Sequence, residues 1–154
     1  MNVTPATDAC QLKLPYHDAI QVYSDLNLLP QVLAWFDQFK QTPIPPDVWL
    51  ECQLALAEGF TNAVRHAHAG KSPDTPILIE ACIDGSTITL KVWDNGPGFD
   101  FDRLLQHTQL VEPSAERGRG LRIMQRIADV FSYVRVEQRN CLTLVRTYRA
   151  MPLD

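Results

Sequence analysis

Residues 47–67 form the segment that most restricts how this chain can fold. Their apolar positions recur with the 3.6-residue period of an amphipathic helix, and Pro46 suits the first turn of that helix. One largely apolar side, the side that packs on a core in such a helix, consists of Leu50, Leu54, Ala57, Thr61 and Val64. On the adjoining polar stripe lie Glu51 and three successive i,i+4 neighbours, Glu58, Asn62 and His66. Side chains at that spacing can contact one ligand.

The other elements follow from apolar period, turn residues and prolines. A helix is predicted over 27–41, with a face of Leu29, Val32, Leu33, Phe36 and Phe39, and another over 120–131, starting at glycines. Strands are predicted over 11–16, 77–83, 87–94, 133–138 and 142–149, with a turn at Arg139 and Asn140 before the last. Residues 99–117 have no clear period and are predicted to form a functional loop such as a lid. This order predicts an α+β fold, a two-layer sandwich with helices on one face of a mostly antiparallel sheet.

Composition bounds the class of protein. With 154 residues, one domain over 11–150 is expected, preceded by a flexible tail over 1–10. A formal net charge of −4 argues against binding nucleic acid through its phosphates. No stretch approaches the apolar length of a membrane-spanning helix, and the first residues lack the pattern of a signal peptide. The four cysteines form no CxxC pair and are expected to be reduced, so a cytoplasmic protein is predicted.

Three motifs have a chemical interpretation, and each also has an ordinary structural one. On the helix over 47–67, the carboxylate of Glu58 can accept a proton, and the amide oxygen of Asn62 suits Mg²⁺. Taken alone, this pair can equally be a solvated helix face. In "VWDNGPGFD", Asp94 ends a strand and can accept a hydrogen bond from an exocyclic amine such as that of adenine. Gly96 and Gly98 would let the backbone pass close to a flat ring, although Asn-Gly and Pro-Gly are also ordinary turn dipeptides.

The third motif is "ERGRGLRIMQRIAD". Gly118 and Gly120 precede the predicted start of a helix, so unpaired backbone N–H groups can face an anion there. The neighbouring cations Arg117, Arg119 and Arg122 add positive charge within reach of such an anion. The ordinary alternative is a glycine hinge with a basic surface turn. The motif is not a Walker A loop, because it lacks GK[ST].

Together and in this order, the three motifs resemble the N, G1 and G2 boxes of the GHKL (Bergerat-fold) ATPases, the group of gyrase, Hsp90, MutL and the histidine kinases. The resemblance runs from about residue 47 to residue 129. Within that group the chain looks most like the anti-sigma factor serine kinases of bacterial partner-switching systems, which carry "E-x-x-x-N-A-x-x-H" and a short lid.

The resemblance implies ATP and Mg²⁺ as cofactors and a role for each matching residue. Glu58 matches the catalytic base that activates a serine hydroxyl, and Asn62 matches the Mg²⁺ ligand. Asp94 matches the adenine-binding aspartate, with Gly96 and Gly98 beside the base. The residues expected near the phosphates or the rest of the nucleotide are Arg65, His66, Arg117, Gly118, Arg119, Gly120 and Leu121.

The resemblance also implies function and partners. The expected function is an ATP-dependent serine/threonine protein kinase and anti-sigma factor that phosphorylates an anti-sigma factor antagonist of the STAS type. A sigma factor or similar regulator would be the second partner, and a homodimer is expected, without nucleic acid or membrane.

Two alternatives remain open. One is an ATP-binding module that sequesters a sigma factor or controls a phosphatase without transferring phosphate. The other is a stand-alone histidine-kinase-like ATPase domain. A complete sensor histidine kinase would need a phosphoacceptor histidine on an upstream helical hairpin, and about 26 residues precede the first predicted helix, too few for that hairpin.

Overall fold

The computed structural model describes residues 14–98, 100, 103 and 116–152. The strands are β1 (Tyr16–Tyr23), β2 (Pro76–Ile83), β3 (Thr87–Asp94), β4 (Val130–Val136) and β5 (Arg139–Thr147). The helices are α1 (Leu29–Asp37), α2 (Pro46–Asn62) and α3 (Glu116–Ile127). A short 3-10 turn (Leu26–Leu28) precedes α1, and a π-helical segment (Ala63–Ala67) continues α2.

The five strands form one sheet in the order β1-β2-β3-β5-β4, and every neighbouring pair is antiparallel. Along β2 and β3 buried residues alternate with half-buried or exposed ones, as expected for strands with one face on a core. The buried side chains of the sheet join those of the three helices in a single core cluster. The predicted two-layer α+β sandwich and the β2–β3 hairpin are therefore confirmed.

The packing of α1 against α2 centres on two aromatic rings. Phe36 of α1 stacks on Trp49 of α2 with ring centroids 4.2 Å apart, and both side chains are fully buried. Val32 of α1 is buried, as the sequence predicted, and so is Phe39 in the turn that follows the helix. The α-helix itself ends at Asp37, earlier than the predicted 41. The Asp37 carboxylate accepts hydrogen bonds from the side chains of Trp49 and Gln53, which tie the end of α1 to α2.

The prediction of which side of α2 packs on the core is wrong. Leu50 and Leu54 are 63% and 46% exposed, whereas the residues that α2 buries in the core include Val48, Trp49, Cys52, Ala55, Leu56 and Phe60. The helix carries two apolar stripes, and the one with the large aromatic rings faces inward because it removes more apolar area from water.

Three predicted boundaries are also wrong. The predicted tail over 1–10 and residues 11–13 of the first strand, expected over 11–16, lie outside the described residues. The observed β1 begins at Tyr16, continues to Tyr23 and pairs with β2 along its whole length. The turn before β5 lies at Glu137 and Gln138 instead of Arg139 and Asn140, and Glu137 adopts a φ of 58°. Asn140 belongs to β5, where its register places it opposite Asp94.

The third of these boundaries concerns α3, which was predicted over 120–131. The helix begins at Glu116 and ends at Ile127, so both glycines of the third motif lie inside it. The helix does not continue through Asp129, because this residue forms hydrogen bonds with β5. Its N–H donates to the Val145 carbonyl, and its carboxylate accepts from the N–H and hydroxyl of Thr147. The predicted lid over 99–117 lies outside the described residues except for Asp100, Arg103 and the first two residues of α3.

Two findings bear on the class of protein. In the described part of the chain, no helix is both long enough and apolar enough to span a membrane. Cys52, Cys82 and Cys141 are free thiols, as predicted, and burial raises the pKa of Cys52 to about 12, so that thiol stays protonated.

The orientation of α2 can be tested by one substitution at two neighbouring positions. Leu56→Ala is expected to lower the free energy of unfolding by about 2–5 kcal/mol, because Leu56 is fully buried and its removal leaves a cavity. Leu54→Ala is the matched control on the same helix and is expected to cost no more than about 0.5 kcal/mol. Urea unfolding curves of the two variants measure the difference, and similar losses at both positions would contradict the observed orientation.

Candidate functional site

A cavity of about 250 Å³ lies between α2 and α3, at the polar stripe that the sequence predicted. The predicted site residues that line it are Glu58, Asn62, Arg65, His66, Arg119, Gly120 and Leu121. Leu29, Ala57 and Thr61 complete the lining. The structure therefore brings residues of the first and third motifs to one place, although more than 50 residues separate them in the sequence.

The carboxylate of Glu58 lies directly against α3. A Cβ atom added to Gly120 would lie 2.6 Å from Oε2 of Glu58, so a larger residue at this position would displace the carboxylate. Gly118 is buried in the first turn of α3, where backbone N–H groups have no partner within the helix. Gly120 lies in the second turn, so its N–H is not at the helix terminus, and the prediction that both glycines precede the helix needs this correction.

The polar groups of Glu58 and Asn62 are directed to the cavity rather than to the protein. Asn62 is 8% exposed and Glu58 is half-buried, and within the described residues no hydrogen bond to either side chain is formed. An amide oxygen that lines a cavity, and to which no described residue donates, suits a hard cation such as Mg²⁺, which accepts oxygen ligands. The residues present therefore fit the implied metal ion.

Asp94, in contrast, has protein partners at both carboxylate oxygens. Its Oδ1 accepts from the N–H of Gly96 and from Nδ2 of Asn140, each at 2.8 Å. Its Oδ2 accepts from the hydroxyl of Tyr133 at 2.7 Å. These charge-assisted bonds compensate for the burial of a side chain that is 2% exposed.

The turn after β3 packs against the end of the π-helical segment. A Cβ atom on Gly96 would overlap the carbonyl oxygen of Ala67, and one on Gly98, which has a φ of 81°, would lie 2.8 Å from Oδ1 of Asn140. The glycines of this motif are thus required for close approach within the protein. Asp94, Gly96 and Gly98 do not line the α2–α3 cavity, but Ala67 directly follows His66, which does.

A second cavity, of about 300 Å³, lies beside this turn. Its lining residues are Pro97, Gly98, Tyr133, Arg135 and Asn140. The last three were not predicted as site residues. Nothing in the local sequence identifies them, because they come from the closing hairpin and reach Asp94 only through the register of β3, β5 and β4.

His68 is a further residue that sequence analysis missed. It is 3% exposed; its Nδ1 lies 3.1 Å from the Ser24 hydroxyl, and its Nε2 accepts the N–H of Asn95 at 2.8 Å. An Nε2 that accepts requires the proton of the neutral ring to be on Nδ1, which then donates to Ser24. Burial lowers the pKa of His68; the nearby Asp94 carboxylate opposes this shift, and Lys71 reinforces it. The His68 ring thus links the turn that follows Asp94 to the segment that precedes α1.

The side chain of Arg117 lies outside the described residues. Arg119 is exposed at the mouth of the α2–α3 cavity, and Arg65 and His66 line the same cavity. The cavity therefore combines one carboxylate, one amide and several cationic or polar groups beside a helix N-terminus, a combination suited to a phosphorylated ligand with a metal ion.

Comparison with known proteins defines the class. The family model described as "Histidine kinase-like ATPase domain" matches residues 22–146. The chain therefore belongs to the family of histidine kinase-like ATPase domains, which confirms the resemblance to the GHKL group.

One similar protein and one similar crystal structure give more detail than the family model. The serine-protein kinase RsbW of Bacillus pumilus (strain SAFR-032) is 32% identical over 88 residues, which cover 51% of this chain and 53% of the relative. The chain thus matches about half the length of this curated relative. The crystal structure of the RsbU and RsbW domains of Rv1364c from Mycobacterium tuberculosis superimposes with a TM-score of 0.62 at 15% identity. That match covers 90% of this chain and 35% of the other, and it supports the fold.

The role of His68 predicts a pH dependence of stability. The unfolded pKa of histidine is about 6.5 and the folded value is lower, so the unfolded chain binds more protons below neutral pH. The stabilisation is therefore complete above about pH 6.5 and is lost as the pH falls towards and through the folded pKa. Urea unfolding of wild type and His68→Gln at about pH 7.5 and about pH 5.5 measures this, and the variant is expected to lose less stability on acidification.

The matched control is His17→Gln on β1, because His17 is an exposed histidine whose only contact of this kind among the described residues, with the Glu80 carboxylate at 3.3 Å, is a surface ion pair that contributes little. This variant is expected to keep the pH dependence of the wild type. An equal loss of stability in all three proteins on acidification would show that His68 does not carry the effect.

Proposed function

We propose that this chain is an ATP-dependent serine/threonine protein kinase and anti-sigma factor, which phosphorylates an anti-sigma factor antagonist of the STAS type. The observation that carries the proposal is the cavity between α2 and α3, where Glu58 and Asn62 are side by side on the helix and have no hydrogen-bond partner among the described residues. The Bacillus pumilus relative is named a serine-protein kinase, which agrees with this chemistry.

Glu58 is the group proposed to receive the proton of the substrate hydroxyl. Its carboxylate is half-buried, lines the cavity and is held next to the backbone of α3 at Gly120. A carboxylate to which no described residue donates keeps its lone pairs for an incoming hydroxyl. It therefore has both the access and the free acceptor positions of a general base.

Asn62 would hold Mg²⁺ through its amide oxygen. When bound, such an ion neutralises charge that develops on the transferred phosphoryl group. The exposed guanidinium of Arg119 and the first-turn N–H of Gly118 are proposed to hold phosphate oxygens, since both lie at the N-terminal part of α3. Asp94 is proposed to accept the exocyclic amine of adenine.

The proposed partners are those that the resemblance to the anti-sigma factor serine kinases implies. A STAS-type antagonist would be the phosphorylated substrate, and a sigma factor or similar regulator would be bound when the antagonist is modified. A homodimer in the cytoplasm is the proposed state. Without phosphate transfer, the same nucleotide site would make the chain a nucleotide-gated binding module, which the following experiment separates from a kinase.

The experiment incubates purified protein with labelled ATP, Mg²⁺ and candidate antagonists encoded near the gene. Wild type is expected to label an antagonist on serine or threonine. Glu58→Gln is expected to reduce labelling by about 100-fold or more while ATP still binds, because general-base catalysis typically contributes that much. Asp94→Asn is expected to lose ATP binding, since the amide cannot accept from all the donors around it.

The matched control is Glu51→Gln on the same helix, which removes the partly exposed ion pair with Arg146 and is expected to leave labelling unchanged. If ATP binds through Asp94 but no candidate is labelled, the binding-module interpretation replaces the kinase. If ATP does not bind to wild type at all, the nucleotide site itself is wrong.

A second substitution separates stability from activity. Gly120→Ala is expected to raise the free energy of unfolding by about 0.5–1 kcal/mol, because glycine inside a helix is less favourable than alanine. The flexible end of Glu58 can move away from the new methyl group, so the fold is not strained. The displaced carboxylate no longer occupies its observed position, and phosphate transfer is expected to fall by about 10-fold or more.

Thermal unfolding and the labelling assay test both effects on the same sample. A variant that is more stable yet transfers less phosphate supports the placement of Glu58 at Gly120. Unchanged transfer in a stably folded Gly120→Ala protein would contradict a positional role for this contact.

A further inference from the structure

Asn140 is a completely buried polar residue that the proposed phosphate transfer does not use. It is 0% exposed, and the register of β3 and β5 places it directly opposite Asp94. Its Nδ2 donates to Oδ1 of Asp94 at 2.8 Å and to the carbonyl oxygen of Gly96 at 3.0 Å. One carboxamide therefore holds both the carboxylate at the end of β3 and the turn that follows it.

Arg135 fixes the orientation of that carboxamide. Nη1 of Arg135 lies 3.1 Å from Oδ1 of Asn140 and 3.2 Å from the Gly96 carbonyl oxygen. A guanidinium group can only donate, so the amide atom that faces it must be the oxygen. The Nδ2 group is then directed to two acceptors, Asp94 and Gly96, and the reverse orientation would place donor against donor.

The consequence concerns the two oxygens of Asp94. An ionised carboxylate offers about four acceptor positions, two on each oxygen. On Oδ1 both are used, by the Gly96 N–H and by Asn140. On Oδ2, among the described residues, only the Tyr133 hydroxyl donates, so one acceptor position is left. The oxygen with capacity for a further donor is thus Oδ2.

We propose that Asn140 is a positioning residue for base recognition: its carboxamide saturates Oδ1 of Asp94 and thereby assigns Oδ2 to the exocyclic amine of the nucleotide, with Arg135 fixing the orientation of Asn140. This inference rests on the proposed function of Asp94 as the acceptor of that amine. It adds that a residue of β5, which itself need not contact the base, determines how strongly the amine is recognised.

The test compares ATP with ITP, whose base carries an oxygen in place of the amine, so that the two nucleotides share every phosphate contact. Calorimetry measures both dissociation constants for the full chain with Mg²⁺. Wild type is expected to prefer ATP by about 10-fold or more, the usual effect of one hydrogen bond to a charged group. In Asn140→Leu the affinity for ATP is expected to fall towards that for ITP, whereas ITP affinity stays within about 3-fold of wild type.

Two further variants keep the test decisive if Asn140→Leu does not fold. Arg135→Leu changes an exposed residue, and the ATP preference is expected to fall by about 3-fold or more because the amide loses its orientation. Arg139→Gln is the matched control, since Arg139 stacks on Trp93, which alternates with Asp94 and so lies on the opposite face of the sheet. This control is expected to keep the preference of wild type.

Asn140→Asp supplies a readout that a purely structural role would not change. A carboxyl group at this position can donate to Asp94 only when it is protonated, so the ATP preference should be lost at about pH 7.5 and recover towards about pH 5.5. Using the ratio of ATP to ITP cancels the titration of the phosphates, which is common to both.

The outcomes separate the inference from the proposed function. A wild type that prefers ATP, together with folded Asn140 and Arg135 variants that keep the full preference, would overturn the role of Asn140 and leave the nucleotide site intact. Equal binding of ATP and ITP by wild type would instead refute the assignment of Asp94 to the amine. Absence of ATP binding would refute the proposed function.

Discussion

The structure depends first on how α2 is rotated about its own axis. Trp49, Leu56 and Phe60 are fully buried between the sheet and the neighbouring helices, and Trp49 stacks on Phe36 of α1. Because consecutive residues are 100° apart around a helix, burying these rings also fixes where every other α2 side chain points. That rotation directs Glu58 and Asn62 to the cavity beside α3, and it leaves Leu50 and Leu54 at the surface.

A second constraint acts at the end of β3, where a buried carboxylate must be compensated. Burying an ionised group without donors costs several kcal/mol, and Asp94 meets that cost with a backbone N–H, an amide and a hydroxyl. Since these donors come from the turn and from two other strands, the same interactions fix the positions of the turn, β5 and β4 relative to one another. The glycines of the turn matter because side chains there would collide with Ala67 and Asn140.

The sequence predicted those features that depend on local period and on short motifs. The α+β class, the β2–β3 hairpin and the polar stripe of α2 follow from repeated spacing, and the family follows from three motifs in order. The sequence of α2 does not show which of its two apolar stripes faces the core, because that depends on the elements that pack against the helix. Likewise Asn140 resembled a turn residue because Arg-Asn is polar, whereas its partner Asp94 lies 46 residues away in the sequence. The predicted start of α3, at its glycines, lies too late in the sequence. Gly120 is inside the helix because α3 packs against Glu58, and only a small residue leaves room for that carboxylate.

The two carboxylates of the candidate site differ in one respect that bears on their roles. Asp94 is held at both oxygens by donors from the protein, so its position is fixed and its remaining acceptor capacity is limited and directional. Glu58 has no such donors among the described residues and keeps its lone pairs for a ligand. Fixed geometry suits recognition of a base by one hydrogen bond, whereas proton acceptance requires a carboxylate with free lone pairs and some freedom to approach a hydroxyl. Two acidic groups with such different environments are suited to different tasks. The roles proposed for Asp94 and Glu58 are therefore supported by their hydrogen bonds as well as by the motifs that contain them.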